Sequence, residues 1–138
     1  MGPQRRSRTI VFSLTLLTLL LTPPVFAADT AALEQKGANI TVARNGKEAL
    51  AKLKENPGTD LVLMDIMMPE MDGYQATREI RKQKQFSKLP IIAVTAKATK
   101  NDQVLCMEAG ASDYLSKPID LHQLFSVIRV WAPQLGWN

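Results

Sequence analysis

Three polar side chains of complementary chemistry each follow a short apolar run. Asp65 follows LVLM, Thr95 follows IIAV, and Lys117 follows YLS. A carboxylate can attack phosphorus, a hydroxyl can donate to a phosphoryl oxygen, and an ammonium group can neutralise the phosphoryl charge. Each residue alone has an ordinary alternative, namely a turn cap, a partner for local backbone or a solvated surface charge. Their shared position at the ends of predicted strands favours a site that handles a phosphoryl group.

The elements that must position these residues alternate between strand and helix from residue 29 onward. Apolar, β-rich runs predict strands at Ala38–Ala43, Leu61–Met64, Ile91–Val94 and Tyr114–Ser116. Continuous apolar runs are typical of parallel strands that are buried on both faces. The alternation predicts an open, doubly wound parallel α/β sheet, in which ligands lie outside the carboxyl ends of the strands.

Helical patterns fill the intervals between these strands. They predict helices at residues 45–56, 73–84, 100–109 and 121–131. Gly110 is the expected left-handed cap at the end of the third helix. On the second helix, Arg78, Arg81 and Lys82 are expected to face outward.

The first 28 residues form a different kind of sequence. A basic start precedes the 12-residue uncharged run Ile10–Leu21, and Pro23-Pro24 is followed by small or apolar residues. This order is typical of a secretory signal. One alternative is a membrane anchor at residues 9–28, although a bilayer span needs about 20 apolar residues. The other is a buried strand of the fold, or a mistranslated or spliced stretch.

Composition excludes several classes of site. The single cysteine, Cys106, excludes an internal disulfide and a cysteine-based zinc or iron–sulfur site. The single histidine, His122, argues against a His-rich metal site. The formal net charge is +4, but Arg5, Arg6 and Arg8 carry three of the excess charges. The rest of the chain is nearly neutral, so no nucleic-acid surface is expected.

Three longer segments carry a family resemblance. LVLMDIMMPEMDGYQATREIR (Leu61–Arg81), PIIAVTAKA (Pro90–Ala98) and GASDYLSKPID (Gly110–Asp120) resemble the receiver domain of response regulators. The match is best to receivers at the C-terminal end of hybrid histidine kinases. Several separate motifs agree in order and spacing across residues 32–131. The resemblance implies a flavodoxin-like doubly wound sheet with the strand order 2-1-3-4-5.

The resemblance also implies a role for each matching residue. Asp65 would take a phosphoryl group from a histidine of a partner kinase or phosphotransfer domain. Thr95 would be the switch hydroxyl that moves onto the acyl phosphate, and Tyr114 would turn inward with it. Lys117 would contact the phosphoryl group, and Pro118 would follow a cis peptide bond. Such a domain is a phosphoacceptor in signalling and not an enzyme.

The same resemblance implies a Mg²⁺ ion, held by Asp65, by the backbone carbonyl of Met67 and by two acidic residues at the end of the first strand. Counting back from AALEQKG, that pair should fall near Leu20–Thr22, where there is no acid. The first acidic residue of the chain is Asp29, which lies inside the expected first helix. Without the pair, Mg²⁺ binding is expected to weaken greatly, and phosphotransfer with it.

The first strand of the family is likewise absent or replaced. Its loss would leave a gap between the strands containing Ile40 and Leu61 and would expose backbone groups. The run Thr9–Leu16 is apolar and β-competent and could fill this gap, with Pro23-Pro24 in the next loop or first helical turn. We therefore predict a signal-like or replaced segment at residues 1–28 and a receiver domain, incomplete at its N-terminus, at residues 29–138. A truncated, fused or out-of-frame 5′ region is the hypothesis that explains the abrupt break.

Two functions stay open at this point. The chain is either a receiver that accepts a phosphoryl group on Asp65 in a phosphorelay, or a non-phosphorylatable pseudo-receiver that binds partners but lacks the metal. A haloacid-dehalogenase-like phosphatase is disfavoured, because that family has a second aspartate where Met67 stands here.

The expected partner is a histidine kinase or a histidine phosphotransfer domain. Because such a kinase is supplied with ATP inside the cell, the expected location is the cytoplasm. Membrane contact is expected only if residues 9–28 act as an anchor. A working signal or anchor would instead place Asp65 on the wrong side of the membrane.

Overall fold

The structure, a computed structural model, describes residues 9–13, 26–67, 71–96 and 99–133. Strands and helices alternate along the chain, as the sequence pattern predicts. The strands are β1 (Thr9–Ser13), β2 (Asn39–Ala43), β3 (Leu61–Asp65), β4 (Ile91–Thr95) and β5 (Asp113–Ser116). The helices are α1 (Phe26–Gln35), α2 (Gly46–Glu55), α3 (Gly73–Arg81), α4 (Lys100–Ala109) and α5 (Leu121–Trp131), with a short 3-10 turn at Lys84–Phe86.

The five strands form one parallel sheet in the order β2-β1-β3-β4-β5. β1 pairs with β2 from Thr9 opposite Asn39 onward, and with β3 from Ile10 opposite Leu61 onward. The predicted doubly wound sheet is confirmed, and residues Thr9–Ser13 of the N-terminal apolar segment form its first strand. The remainder of the expected Thr9–Leu16 run and the Pro23-Pro24 pair lie outside the described residues.

Helices cover both faces of the sheet, and alternate residues of β3 point into two separate cores. Leu61 and Leu63 pack in a cluster with residues of α1 and α5, whereas Val62 and Met64 pack with residues of α2 and α3. All five residues of β3, from Leu61 to Asp65, are buried. This burial on both faces explains why the strand reads as one continuous apolar run.

Side-chain capping sets where four of the helices begin. Asn45, Asp72, Thr99 and Asp120 each accept a hydrogen bond from a backbone N–H in the first turn of α2, α3, α4 and α5, respectively. These caps satisfy amide groups that have no partner inside the helix. α4 ends at Gly110, which has the predicted left-handed conformation, with φ of 108°.

The prediction that Arg81 faces outward is wrong. Its Nη1 donates to the carbonyl of Phe86 at 2.7 Å, and its Nε donates to the carbonyl of Gly110 at 2.8 Å. These bonds hold the guanidinium against the 3-10 turn, and α3 ends at Arg81, earlier than the predicted Lys84. Burial lowers the pKa of Arg81. The side chain ties the ends of α3 and α4 together.

Within the described part of the chain, no helix combines the length and the apolar character that crossing a bilayer requires.

The central position of β1 gives the first testable prediction. We expect a variant lacking residues 1–13 to lose its cooperative thermal transition, because both β2 and β3 lose a hydrogen-bonded neighbour. A matched variant lacking only residues 1–8, which precede β1, should unfold like the full chain. Circular dichroism melting curves measure both. An unchanged transition in the variant that lacks residues 1–13 would show that β1 is dispensable.

Candidate functional site

The carboxyl ends of three strands bring Asp65, Thr95 and Lys117 to the same edge of the sheet. Asp65 ends β3 and Thr95 ends β4, while Lys117 directly follows β5. Thr95 pairs with Ser116, and the backbone N–H of Lys117 donates to the carbonyl of Thr95 at 2.8 Å. The parallel register therefore assembles the three residues that the sequence singled out at strand ends.

Asp65 is the most enclosed member of this group, with only 1% of its surface exposed. Its Oδ2 accepts a hydrogen bond from Lys117 Nζ at 2.8 Å, and its Oδ1 accepts one from the backbone N–H of Met67 at 2.9 Å. A buried carboxylate is strongly disfavoured unless it is paired and hydrogen-bonded. Lys117 and the Met67 amide supply both requirements.

Thr95 and the lysine loop complete the edge. Thr95 is buried on the neighbouring strand, one position along from Val94, which pairs with Asp65. The peptide bond between Lys117 and Pro118 is cis, as the resemblance implies. A carboxylate, a hydroxyl and an ammonium group on adjacent strands can together hold a phosphoryl group, with the carboxylate as its acceptor.

Gly73 holds the loop after Asp65 more tightly than its sequence context suggests. Its N–H donates to the carbonyl of Ile66 at 3.0 Å, and its own carbonyl accepts from Thr77 Oγ1 at 2.6 Å. A Cβ at Gly73 would lie 2.5 Å from the carbonyl oxygen of Asp65 and 2.7 Å from Ile66 Cα. The first turn of α3 therefore rests directly on the main chain of Asp65. An Asp-Gly pair such as Asp72-Gly73 is a common turn signal, which indicates a loop but not this close approach.

The predicted switch residue, Tyr114, lies half-buried in β5 beside a small core between the sheet and α4. Cys106 belongs to this core, and both Tyr74 and Tyr114 pack against it. Burial, together with the neighbouring Cys106, raises the pKa of Tyr74 to about 12. Burial also raises the pKa of the Cys106 thiol, which is the mark of an inert structural cysteine.

The outer surface of α4 is unusually apolar for an exposed helix. Val104 and Met107 are each about half exposed, at 51% and 50%. The exposed positions of α3 are instead polar or charged, as at Gln75 and Arg78. Exposed apolar side chains that cluster on one helix are typical of a surface that binds another protein.

The residues at this edge do not fit a Mg²⁺ ion. Among the residues that the structure describes, no group of three or more His, Cys, Asp or Glu is placed to hold a metal. β1 ends at Ser13, and the chain carries no acidic residue before Asp29. Mg²⁺ needs near-octahedral oxygen coordination and gives up its waters reluctantly, so one carboxylate and one carbonyl form a poor donor set.

Comparison with known proteins places this geometry in a family. A family model described as "Response regulator receiver domain" matches residues 23–129. Protein PilH of Pseudomonas aeruginosa is 41% identical over 99 residues, which cover 72% of this chain and 81% of PilH. Sensor histidine kinase GacS of Pseudomonas protegens is 41% identical over 103 residues, covering 72% of this chain but only 11% of the kinase.

A solved structure extends the similarity to the whole sheet. It is the receiver domain of sensor histidine kinase PA1611 from Pseudomonas aeruginosa, with a magnesium ion coordinated in its active-site cleft. Its sequence is 32% identical, with a TM-score of 0.76, and the match covers 95% of this chain and 99% of that one.

The pairing of Asp65 with Lys117 gives a prediction about stability. We expect Lys117→Met to lower the free energy of unfolding by about 2 kcal/mol, because it leaves a buried carboxylate without its cation. In an Asp65→Asn background the same change should cost about 0.5 kcal/mol or less. Chemical denaturation of the four proteins measures the coupling.

Lys82→Met is the matched control for this cycle. Lys82 also lies 2.8 Å from its partner Glu79, but both side chains are largely solvent-exposed. Its loss should change the free energy of unfolding by no more than about 0.5 kcal/mol. Equal effects of Lys117→Met in the two backgrounds would contradict the pairing.

The contact between Gly73 and Asp65 gives a third prediction. Gly73→Ala should destabilise the protein by about 2 kcal/mol, because the new methyl group forces the Asp65 main chain to move. Gly58→Ala is the control, since a Cβ there meets nothing within 4 Å, and it should stay within about 0.5 kcal/mol. Urea denaturation compares the two variants, and similar midpoints would show that the loop yields without cost.

Proposed function

Because this chain belongs to the response regulator receiver family, we propose that it accepts a phosphoryl group on Asp65 from a phosphohistidine. The observation that carries the proposal is the contact of 2.8 Å between Asp65 Oδ2 and Lys117 Nζ at the carboxyl edge of the sheet. Asp65 can thus serve as the nucleophile and Lys117 as a fixed positive charge, beside strand β4, which carries the Thr95 hydroxyl.

The proposed transfer uses the chain's own side chains. An oxygen of Asp65 attacks phosphorus, a P–O bond forms, and the P–N bond to the donor imidazole breaks, with the electron pair remaining on the nitrogen. Lys117 offsets the negative charge on the phosphoryl oxygens, and Thr95 donates a hydrogen bond to one of them. The product is an acyl phosphate on Asp65.

A second candidate is a pseudo-receiver that binds its partner without being phosphorylated. The missing acidic residues at the end of β1 favour it, because no cation then shields the approach of an anionic donor to an anionic acceptor. The intact Asp65, Thr95 and Lys117 favour the acceptor role. The two candidates share the fold and the partner but differ in whether the mass of Asp65 changes.

The proposed partner is a histidine kinase or a histidine phosphotransfer domain. GacS and PA1611, two proteins that this chain resembles, are named as sensor histidine kinases. The apolar side chains Val104 and Met107 of α4 offer a contact surface for such a partner. Because a kinase that consumes ATP works inside the cell, we place this function in the cytoplasm.

Intact-mass spectrometry after incubation with acetyl phosphate tests the proposal. We expect wild-type protein to gain the mass of one phosphoryl group. Hydroxylamine, which attacks the acyl carbon of an acyl phosphate, should then release that group as phosphate and leave a hydroxamate on Asp65. Asp65→Asn should gain nothing, because it lacks the nucleophile. Asp60→Asn, the same change at the opposite end of β3, should behave as wild type.

The outcomes separate the two candidates. A gain that persists in Asp65→Asn would place the modification elsewhere and overturn the assignment of Asp65. No gain in any variant, with binding to a phosphotransfer domain retained, would support the pseudo-receiver.

A further inference from the structure

The family's magnesium site needs acidic residues at the end of its first strand, and this chain has none there. Phe12 of β1 pairs with Leu63 of β3, two residues before Asp65. Ser13 therefore lies at the carboxyl end of the strand that neighbours the acceptor. From this position to Ala28 the sequence contains no Asp or Glu. Strand β1, which lies between β2 and β3, therefore brings no carboxylate to the site.

The positive charge that the carboxylate needs is already present. Lys117 Nζ contacts Oδ2 at 2.8 Å, and the Met67 amide donates to Oδ1 at 2.9 Å. One ammonium charge balances one carboxylate charge, so the pair is neutral before any cation arrives. A divalent ion would gain only one charged ligand here, and Mg²⁺ exchanges its waters for so few ligands unfavourably.

We infer that Asp65 is held without a divalent cation and that Lys117 is its permanent counter-charge. The level of Mg²⁺ in the medium then does not govern the state of this site. The inference concerns the same carboxylate as the proposed function, but it does not depend on phosphoryl transfer.

A further consequence follows from the register of β1. If the missing ligands alone prevent metal binding, acidic residues at the end of β1 should create a magnesium site. Ser13 and the next residue in sequence, Leu14, are the positions for that change. The variant Ser13→Asp/Leu14→Asp supplies one carboxylate at the last residue of β1 and a second at the residue that follows it in sequence.

Thermal unfolding and calorimetric titration with Mg²⁺ alone test the inference on the full chain. We expect the wild-type Tm to be the same in millimolar MgCl₂ and in NaCl of equal ionic strength, with no saturable heat of binding. A ligand that binds only the folded state raises the Tm. A saturable rise that disappears in Asp65→Asn would therefore overturn the inference.

The Ser13→Asp/Leu14→Asp variant supplies the positive control. In folded variant protein, Mg²⁺ should raise the Tm by several degrees and bind with measurable heat, and adding Asp65→Asn should remove both effects. A folded variant that ignores Mg²⁺ would contradict the position assigned to these ligands. If the variant does not fold, the wild-type titration alone decides whether the site takes a cation.

The same protein preparations keep this inference separate from the proposed function. Acetyl phosphate labelling in EDTA and in MgCl₂ is measured alongside the titrations. Absence of labelling in both, with no metal response, removes the acceptor function and leaves the cation-free site standing. Labelling that appears only with Mg²⁺ would overturn the inference and support the acceptor function.

Discussion

The burial of the Asp65 carboxylate is the constraint on which the arrangement of the site depends. Asp65 stands at the end of a strand that is buried along its whole length, and it is itself 1% exposed. A charge in that position must be matched, and the match comes from Lys117, 52 residues later in the chain. Strand β5 and the loop after it must therefore lie where they do for Lys117 to reach the Asp65 carboxylate inside the fold.

The carboxylate also depends on the main chain around it. Gly73 allows the first turn of α3 to rest on the carbonyl of Asp65, and the Met67 amide turns back to the side chain. The Met67 amide contacts Oδ1 of the carboxylate, and Lys117 contacts Oδ2. Contacts from the main chain and from Lys117, which is distant in sequence, together leave the Asp65 carboxylate little freedom to move.

The sequence predicted which residues meet at the carboxyl edge of the sheet better than it predicted the packing contacts around them. Asp65, Thr95 and Lys117 could be found because parallel strands end at one edge of the sheet, so that position along the chain translates directly into position in space. The inward turn of Arg81 could not be found, because a charged residue on a helix surface reads as solvated whether or not distant carbonyl groups accept from it. The close approach of Gly73 is likewise a property of tertiary packing.

β1 shows that folding and chemistry place different demands on one strand. The sheet requires a backbone that pairs with β2 and β3, and the apolar run beginning at Thr9 meets that demand through its register alone. The metal requires particular side chains at the end of the same strand, and backbone pairing cannot supply them. Backbone pairing can therefore complete the sheet of a receiver without bringing acidic side chains to the end of β1. Asp65 is instead contacted by Lys117, which the fold delivers from the loop after β5.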